Sequence, residues 1–262
     1  MSFTADKEEA LFYQRLSELS ERCVSRYCPE FTHFLDGRQL RLARDFLASR
    51  DNVRIVSYGG FDGAERCVVG IFPSDIYSGC DEKELYEMFD IVGIEVRGSG
   101  FSTFSHRDVM GSVLALGVKR EAMGDIYVPE GSQSAYLCMT SVTADFVCES
   151  LESVSRDKVK CRLVKAHELP VPERRYAVIS GTIASPRLDC VISLVTKTSR
   201  EKAKTMITSG LVNVNHIPET RTDTQLNAED LLSVRGYGRF KICELGDLTR
   251  KGRSRTVVHK MI

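Results

Sequence analysis

The order in which strand and helix patterns follow one another between Asp90 and Val164 constrains this chain most strongly. In chain order they are a strand at 91–96, a helix opened by Ser105, strands at 125–128 and 134–139, a helix carrying Phe146, Val147, Leu151 and Val154, and a strand at 159–164. This β-α-β-β-α-β order predicts a ferredoxin-like (RRM-like) middle domain over residues 79–168. RNA-recognition domains share the arrangement with many unrelated proteins, so it assigns no function by itself.

Two details of this middle domain bear on its function. Asp108 stands three residues after Ser105, which is the spacing of a capping box, and the helix is expected to bury an apolar face formed by Val109, Met110, Val113 and Leu114. Tyr136 lies on a predicted strand, but the strand IVGIEV has no aromatic residue. Stacking of unpaired bases on this sheet is therefore not expected.

The residues before the middle domain predict a mainly helical domain over 1–78 with a small β element. Apolar residues recur at helical spacing through the first fifty residues. Two extended runs, 53–58 and 67–72, flank a Gly59-Gly60 turn and predict a β-hairpin. After the middle domain, Pro170 and Pro172 in LPVPERR predict a hinge. The overall expectation is an α+β protein of several domains.

The C-terminal part predicts two short helices followed by a small sheet. Ser185-Pro186 has the form of an N-cap followed by proline in the first helical position, and Ser199 is a second N-cap. Gly210 is expected to end the second helix. The runs 211–215 and 231–235 then alternate as two paired strands.

Charge is distributed unevenly along this chain, whose formal net charge is zero. From Ala184 onward, 14 Lys and Arg residues stand against 8 Asp and Glu residues, whereas the preceding part has 22 against 28. Such asymmetry indicates that one end meets a polyanion, although a charge run can also be a solvated surface. Arg200 and Lys204 lie one helical turn apart and can share an exposed face, while Arg235 and Arg239 flank glycines that permit close approach of RNA.

The sequence SPRLDCVISLVTKTSREKAKTMITSGLVNVN, with RGYGRF downstream, resembles the RNA-binding domain named after the fourth protein of the small ribosomal subunit. We call it the S-four-type domain and expect it over residues 182–245, followed by a basic tail at 246–262. The family usually has glycine where this chain has His216, but the turn should survive because Asn215 can adopt the left-handed conformation. From the resemblance and the charges, the expected RNA-binding residues are Arg187, Ser199, Arg200, Lys204, Asn213, Asn215, Arg235, Gly236 and Arg239.

The segment SHRDVMGSVLALGVKREAMGDIYVPEGSQSAYLCM resembles the middle domain of the bacterial YlmH family, also called RqcP, in which HRD, KRE and GDI recur. This resemblance implies a non-enzymatic factor that binds the large ribosomal subunit, through its rRNA, and tRNA. It further implies a role in ribosome-associated quality control, supporting alanine tailing of stalled nascent chains with an RqcH-type tailing factor as partner. Arg107, Lys119 and Arg120 are possible second RNA contacts or, equally, surface charges.

Catalytic motifs offer little support for an enzyme. The chain has no G-x-G-x-x-G loop and no nucleophile elbow. Asp189 lies inside a predicted helix, where a helix-start or intradomain role fits it better than catalysis. His106-Arg107-Asp108 imitates a kinase catalytic loop, but Val113 stands where that loop has asparagine. Asp125 in GDI is as well suited to cap a turn as to contact a partner.

No cofactor or metal site is expected, because the nine cysteines include no C-x-x-C pair. A membrane partner is not expected either, since no apolar run approaches the ~20 residues of a membrane span. The N-terminus lacks the pattern of a secretory signal, so we expect a cytoplasmic protein. Three alternatives stay open: an RNA-modifying enzyme, a ribosome assembly factor, and an interaction scaffold linked to cell division.

Overall fold

The computed structural model describes residues 3–170, 176–248 and 253–261. Contacts divide the chain into two compact units, Met1–Pro172 and Glu173–Ile262. Most of the predicted LPVPERR hinge, residues 171–175, lies outside the described residues. No helix in the described part is long and apolar enough to cross a membrane.

The first unit begins with helices packed on a small sheet. Its elements are α1 (Phe3–Arg26), β1 (Glu30–Phe31), α2 (Gly37–Leu47), β2 (Val53–Tyr58), β3 (Val68–Pro73), α3 (Ser74–Tyr77) and α4 (Glu82–Tyr86). Strands β2 and β3 pair antiparallel, which confirms the predicted hairpin, and β1 pairs with the other edge of β3. Asp36 begins α2 with a complete capping box, because its side chain accepts from the Gln39 N–H while the Gln39 side chain accepts from the Asp36 N–H.

The rest of the first unit follows the predicted β-α-β-β-α-β order with one added strand. Its elements are β4 (Val92–Gly98), α5 (His106–Ala115), β5 (Met123–Tyr127), β6 (Ser134–Met139), α6 (Ser141–Ser150), β7 (Ser153–Val154) and β8 (Asp157–Lys165). The sheet order is β5-β6-β4-β8-β7, and we call this sheet the middle sheet. Helix α5 begins at Ser105 with the capping box expected from Asp108.

The helix faces of this part differ from the prediction at three positions. Val109 and Val113 of α5 are buried as expected, but Leu114 is exposed because it lies beside that face. Phe146 of α6 is also exposed. Val154, expected in α6, belongs instead to β7, because the helix ends at Ser150 and the chain turns into a hairpin with β8.

The second unit places two helices against a six-stranded antiparallel sheet. Its elements are β9 (Tyr176–Ile183), α7 (Leu188–Thr196), α8 (Arg200–Thr208), β10 (Val212–Val214), β11 (Ile217–Pro218), β12 (Leu231–Val234), β13 (Gly238–Leu248) and β14 (Ser254–Met261). The strand order is β11-β10-β12-β13-β14-β9, so the predicted pairing of β10 with β12 is confirmed. Leu188, Ile192, Ile207, Leu232 and Phe240 lie in its core.

Two predictions for the second unit are wrong. Helix α7 begins after Arg187, which gives no side-chain cap, instead of at Ser185-Pro186. The reason is that the backbone at 186 and 187 pairs with the loop at 224–226. The Pro186 carbonyl accepts from the Leu226 N–H, and Arg187 forms a β-bridge with Gln225. The predicted basic tail at 246–262 is also not a tail, since β13 runs into it and β14 lies between β13 and β9. Val258 of β14 is fully buried in the core of the unit, and β14 pairs along its whole length with β9, so the strand is part of the sheet despite its charges.

Ser199 and Asn215 fix two local features as predicted. Ser199 caps α8 by accepting a hydrogen bond from the Lys202 N–H. Asn215 and His216 connect β10 to β11 with positive φ angles of 49° and 69°. Positive φ at both central residues is the geometry of a tight type I′ hairpin turn, so the turn survives with histidine in the glycine position.

Candidate nucleic-acid interface

Asp189 and two arginines form the central charged group of the second unit, which we call the Asp189 cluster. The carboxylate of Asp189 is fully buried and accepts from Arg187 Nε at 3.3 Å and from Arg200 Nη2 at 2.9 Å. The side chains of Arg187 and Arg200 are 35% and 50% exposed, so each has surface available to an anion. The cluster joins the first turns of α7 and α8, which bears out an intradomain role for Asp189.

The electrostatics of the Asp189 cluster keep the acid ionised. Burial alone would raise the pKa of Asp189, but the hydrogen bonds and charges of Arg200 and Arg187 outweigh it and hold that pKa below its ordinary value. A buried carboxylate is tolerated here because both of its oxygens are bonded to cations. Arg187 and Arg200 are therefore structural residues as well as candidate RNA contacts.

The other helix candidates have different roles. Ser199 uses its hydroxyl to cap α8. Lys204 Nζ lies 3.0 Å from Glu201 Oε1 in a surface pair that solvent weakens. Helix α8 has two candidate cations, Arg200 and Lys204. Replacing Lys204 would leave no buried acid without its partner, because Lys204 pairs with exposed Glu201.

The strand candidates divide between a sheet face and a hairpin. Asn213, Ser233 and Arg239 are register partners across β10, β12 and β13, so they occupy one row. Their neighbours Val212 and Leu232 are in the core, so strand alternation places this row on the side of the sheet that faces away from the helices. The predicted set is therefore not confined to one face of the unit.

Arg235 and Gly236 form the tip of the β12–β13 hairpin. The side chain of Arg235 is exposed, and its N–H donates to the Leu211 carbonyl at 2.9 Å. Gly236 has a φ of +85°, a conformation that side chains disfavour, so glycine meets a backbone requirement of the turn. Whether this tip also contacts RNA stays a prediction.

Asn215 has its side chain fully engaged within the protein. Its Nδ2 donates to Asp230 Oδ1 at 2.7 Å, and its Oδ1 accepts from the Leu231 N–H at 3.0 Å. These bonds join the β10–β11 turn to the start of β12. The role of Asn215 shown by this geometry is structural.

The three candidates in the first unit occupy two places. Arg107 is exposed on the first turn of α5. Lys119 and Arg120 instead line a groove of about 690 Å³ bordered by α1 and residues 31–36, to which Arg107 does not contribute. Arg15 and Arg22 of α1 line the same groove, so it is basic at several points, with Glu18 and Glu121 among the acids that balance them.

Arg66 and Asp125 join the two parts of the first unit beside this groove. Arg66 donates to the carbonyls of Phe34, Arg120 and Met123 at 2.9–3.1 Å. Asp125, in the GDI motif, accepts from the N–H groups of Glu65 and Arg66 at 2.6 and 3.1 Å. Burial raises the pKa of Asp125 despite these bonds. The motif therefore fastens the middle sheet to the N-terminal part.

A second charged group, absent from the predicted set, lies on the middle sheet. Glu95 accepts from Arg97 Nη2 at 2.6 Å and from Arg162 Nη2 at 2.8 Å, and we call these three residues the Glu95 cluster. The signal in the sequence was the run DKVKCRLVK, where Lys158, Lys160 and Arg162 alternate with apolar residues. That alternation places three cations on one face of a strand.

Two protein-family models match the chain. The model described as "YlmH, N-terminal" matches residues 8–76. The model described as "Putative RNA-binding domain in YlmH" matches residues 86–168. Two segments of the chain therefore match domains described for the YlmH family, and these ranges lie inside the predicted segments 1–78 and 79–168.

Two named proteins are similar to this chain. The ribosome-associated protein quality control protein P2 of Bacillus subtilis (strain 168) is 28% identical over 255 residues, covering 97% of this chain and 96% of the relative. The solved structure of the cell division protein ylmH from Streptococcus pneumoniae is 20% identical, with a TM-score of 0.50, and the match covers 63% of this chain and 93% of that chain. At that identity the solved structure supports the fold alone.

Proposed function

We propose that this chain is an RNA-binding, ribosome-associated factor of the YlmH family that binds the large ribosomal subunit and tRNA and supports alanine tailing of stalled nascent chains. The observation that carries the proposal is its end-to-end similarity to a protein named for ribosome-associated quality control. The match of residues 86–168 to an RNA-binding domain model adds independent support. The factor acts in the cytoplasm by binding, without catalysis or a cofactor, together with an RqcH-type tailing factor.

The second unit supplies the rRNA contact in this proposal, as an S-four-type domain. The Asp189 cluster fixes two partly exposed guanidinium groups at the start of the two helices, where they are ordered before RNA arrives. Lys204 and Arg235 add cations on α8 and on the hairpin tip. Phosphate contacts of this kind set the position and affinity of a protein on folded RNA without reading its bases.

The test replaces cations that form no ion pair with a buried acid. Arg200→Glu would place a second carboxylate against buried Asp189 and confuse folding with binding, so the better variant is Lys204→Glu with Arg235→Glu. The matched control is Arg26→Glu with Lys83→Glu, two exposed cations of the first unit, which changes the net charge equally. Binding to purified large subunits, small subunits and tRNA is measured at several salt concentrations.

We expect wild type and control to bind large subunits and tRNA, with the Lys204/Arg235 variant weaker. The slope of log affinity against log salt should fall by about two units, because two phosphate contacts are lost. Unchanged affinity and slope in a folded variant would refute the rRNA-contact assignment. A modified nucleotide that is missing from the rRNA of a deletion strain would replace the proposal with an RNA-modifying enzyme.

A further inference from the structure

The middle sheet has one face covered by helices and one that is partly open. Ile94, Val96 and Leu137 point to the helix side, where they pack with residues of α5 and α6. Since successive residues of a strand point to opposite faces, Glu95 and Arg97 point the other way. Their register partners do the same, because directly opposite residues of an antiparallel pair share a face.

The strand register arranges this second face in two rows. Tyr127, Tyr136, Glu95 and Arg162 are successive partners across β5, β6, β4 and β8, and form the first row. The second row consists of Ser134, Arg97 and Lys160. We call these seven residues the open sheet face. It has tyrosines at one side and cations at the other, with Glu95 between them.

The Glu95 cluster presents its arginines outward. Hydrogen bonds from Arg97 and Arg162 hold the pKa of Glu95 below its ordinary value, so the acid is ionised at neutral pH. Its side chain is 9% exposed, whereas those of Arg97 and Arg162 are 67% and 71% exposed. With exposed Lys160 in the next row, the seven residues of the open sheet face include three cations and a single acid, whose side chain is largely buried.

The tyrosines supply two neighbouring, nearly parallel aromatic rings. The rings of Tyr127 and Tyr136 lie with centroids 6.2 Å apart and planes 26° from parallel, and both side chains are partly exposed. The N-terminal part covers only one end of this face, where Tyr136 and Val164 pack against a cluster that includes Phe34. The opposite end, at Arg97 and Lys160, is exposed to solvent.

We propose that the open sheet face binds an unpaired segment of RNA, with bases stacking on Tyr127 and Tyr136 and phosphates contacting Arg97, Lys160 and Arg162. The inference rests on the proposed function and specifies the RNA structure that this part of the molecule recognises. It departs from the sequence-based expectation, which did not favour base stacking on this sheet. A four-stranded face of this kind accommodates roughly two or three bases.

Charge and shape together favour a single strand over the other polyanions. An acidic protein surface would satisfy the three cations but has no need of exposed aromatic rings beside them. A duplex presents phosphates, but its bases are already stacked on one another and cannot reach the tyrosines. An unpaired strand uses both features, because base stacking on aromatic side chains is tolerant of sequence and phosphates follow the cations.

The experiment measures fluorescence anisotropy of a labelled, unstructured RNA of about ten nucleotides with the full chain. The variants are Tyr127→Leu, which removes the ring but keeps an apolar side chain, and Lys160→Glu. The control is Lys165→Glu, an exposed lysine on the same strand whose side chain points to the opposite face. Thermal unfolding by circular dichroism confirms that each variant is folded, and large-subunit binding is measured in parallel.

We expect about tenfold weaker binding for Tyr127→Leu and for Lys160→Glu, wild-type binding for Lys165→Glu, and weaker binding of a duplex of the same length. Equal affinities for the single strand and the duplex would overturn the inference. It would also be overturned if polyglutamate displaced the RNA and Tyr127→Leu did not change RNA binding. Large-subunit binding without single-strand binding would overturn it while leaving the proposed function intact. If the wild-type protein bound neither large subunits nor the single-stranded RNA, both proposals would be refuted.

Discussion

The Asp189 cluster and the Glu95 cluster are two versions of one arrangement, a carboxylate held by two arginines. In the Asp189 cluster the acid is fully buried and its arginines are 35% and 50% exposed. In the Glu95 cluster the acid is 9% exposed and its arginines are about two-thirds exposed. The first lies between two helices, the second on an open sheet.

This difference separates what the arginines do for the fold from what they offer to a ligand. A buried acid needs its cations, since an uncompensated charge in the interior is costly. Glu95 is also largely buried, but its two arginines are more exposed than those of Asp189, so we expect the loss of one of them to cost less. Charge-altering variants at the Asp189 cluster therefore change stability and binding together, whereas variants around the Glu95 cluster mainly change binding.

The largest expected effect is that of Asp189→Asn, which keeps the shape of the side chain and removes its charge. We expect the second unit to lose about 2 kcal/mol of unfolding free energy, below the value for a fully buried pair because both arginines are partly solvated. Hydrogen exchange of amides in α7 and α8 measures the loss. Asp223→Asn, at an exposed acid of the same unit, is the control and should leave exchange unchanged.

Lowering the pH should reduce the difference in unfolding free energy between the wild type and Asp189→Asn. The pKa of Asp189 is lower in the folded than in the unfolded chain, so its stabilisation is present above the unfolded pKa of about 4 and is lost as the pH falls through the folded pKa. Urea unfolding from neutral pH to about pH 3 measures the gap. A gap that stays constant would show that the charge of Asp189 is not what stabilises the unit.

Glu95→Gln should have the smallest effect on stability, below about 1 kcal/mol, because the two arginines it releases are already largely solvated. The same urea titration measures it, with Glu152→Gln at an exposed turn as control. A loss as large as that of Asp189→Asn would erase the distinction between the two clusters. It would also make Arg97 and Arg162 unsuitable as simple binding probes.

Several features set by local chemistry were predictable from the sequence, although the cap expected at Ser185 was not one of them. Ser105 and Ser199 begin their helices where expected, because capping depends on residues only three positions away. Strand β6 also has the predicted bounds. The β-α-β-β-α-β order followed from periodicity alone.

Features set by distant pairing were not predictable. Strand β14 was taken for a tail, since its partner β9 lies far away in sequence and its charged residues conceal the alternation of buried Thr256 and Val258. The partnership of Tyr127 with Tyr136 depends on a register shift between Met123 and Ile126, which no pattern in the sequence reveals. The sequence identified Arg200 as an exposed cation. It could not reveal the bond from Arg200 to Asp189, because that bond depends on how α7 and α8 pack together.

The position of β14 between β13 and β9 has a consequence for how the second unit forms. Among the strands that the structure describes, β9 pairs with β14 alone, and Arg253 at the entry to β14 bonds to Thr182, 71 residues earlier. During synthesis β9 is therefore unpaired until β14 has been made, and its Tyr176 and Val178 are exposed. Pairings of such long range form slowly, and an unpaired strand is a site for aggregation in the meantime. The pairing of β14 with β9 thus ends a period in which β9 is open to aggregation.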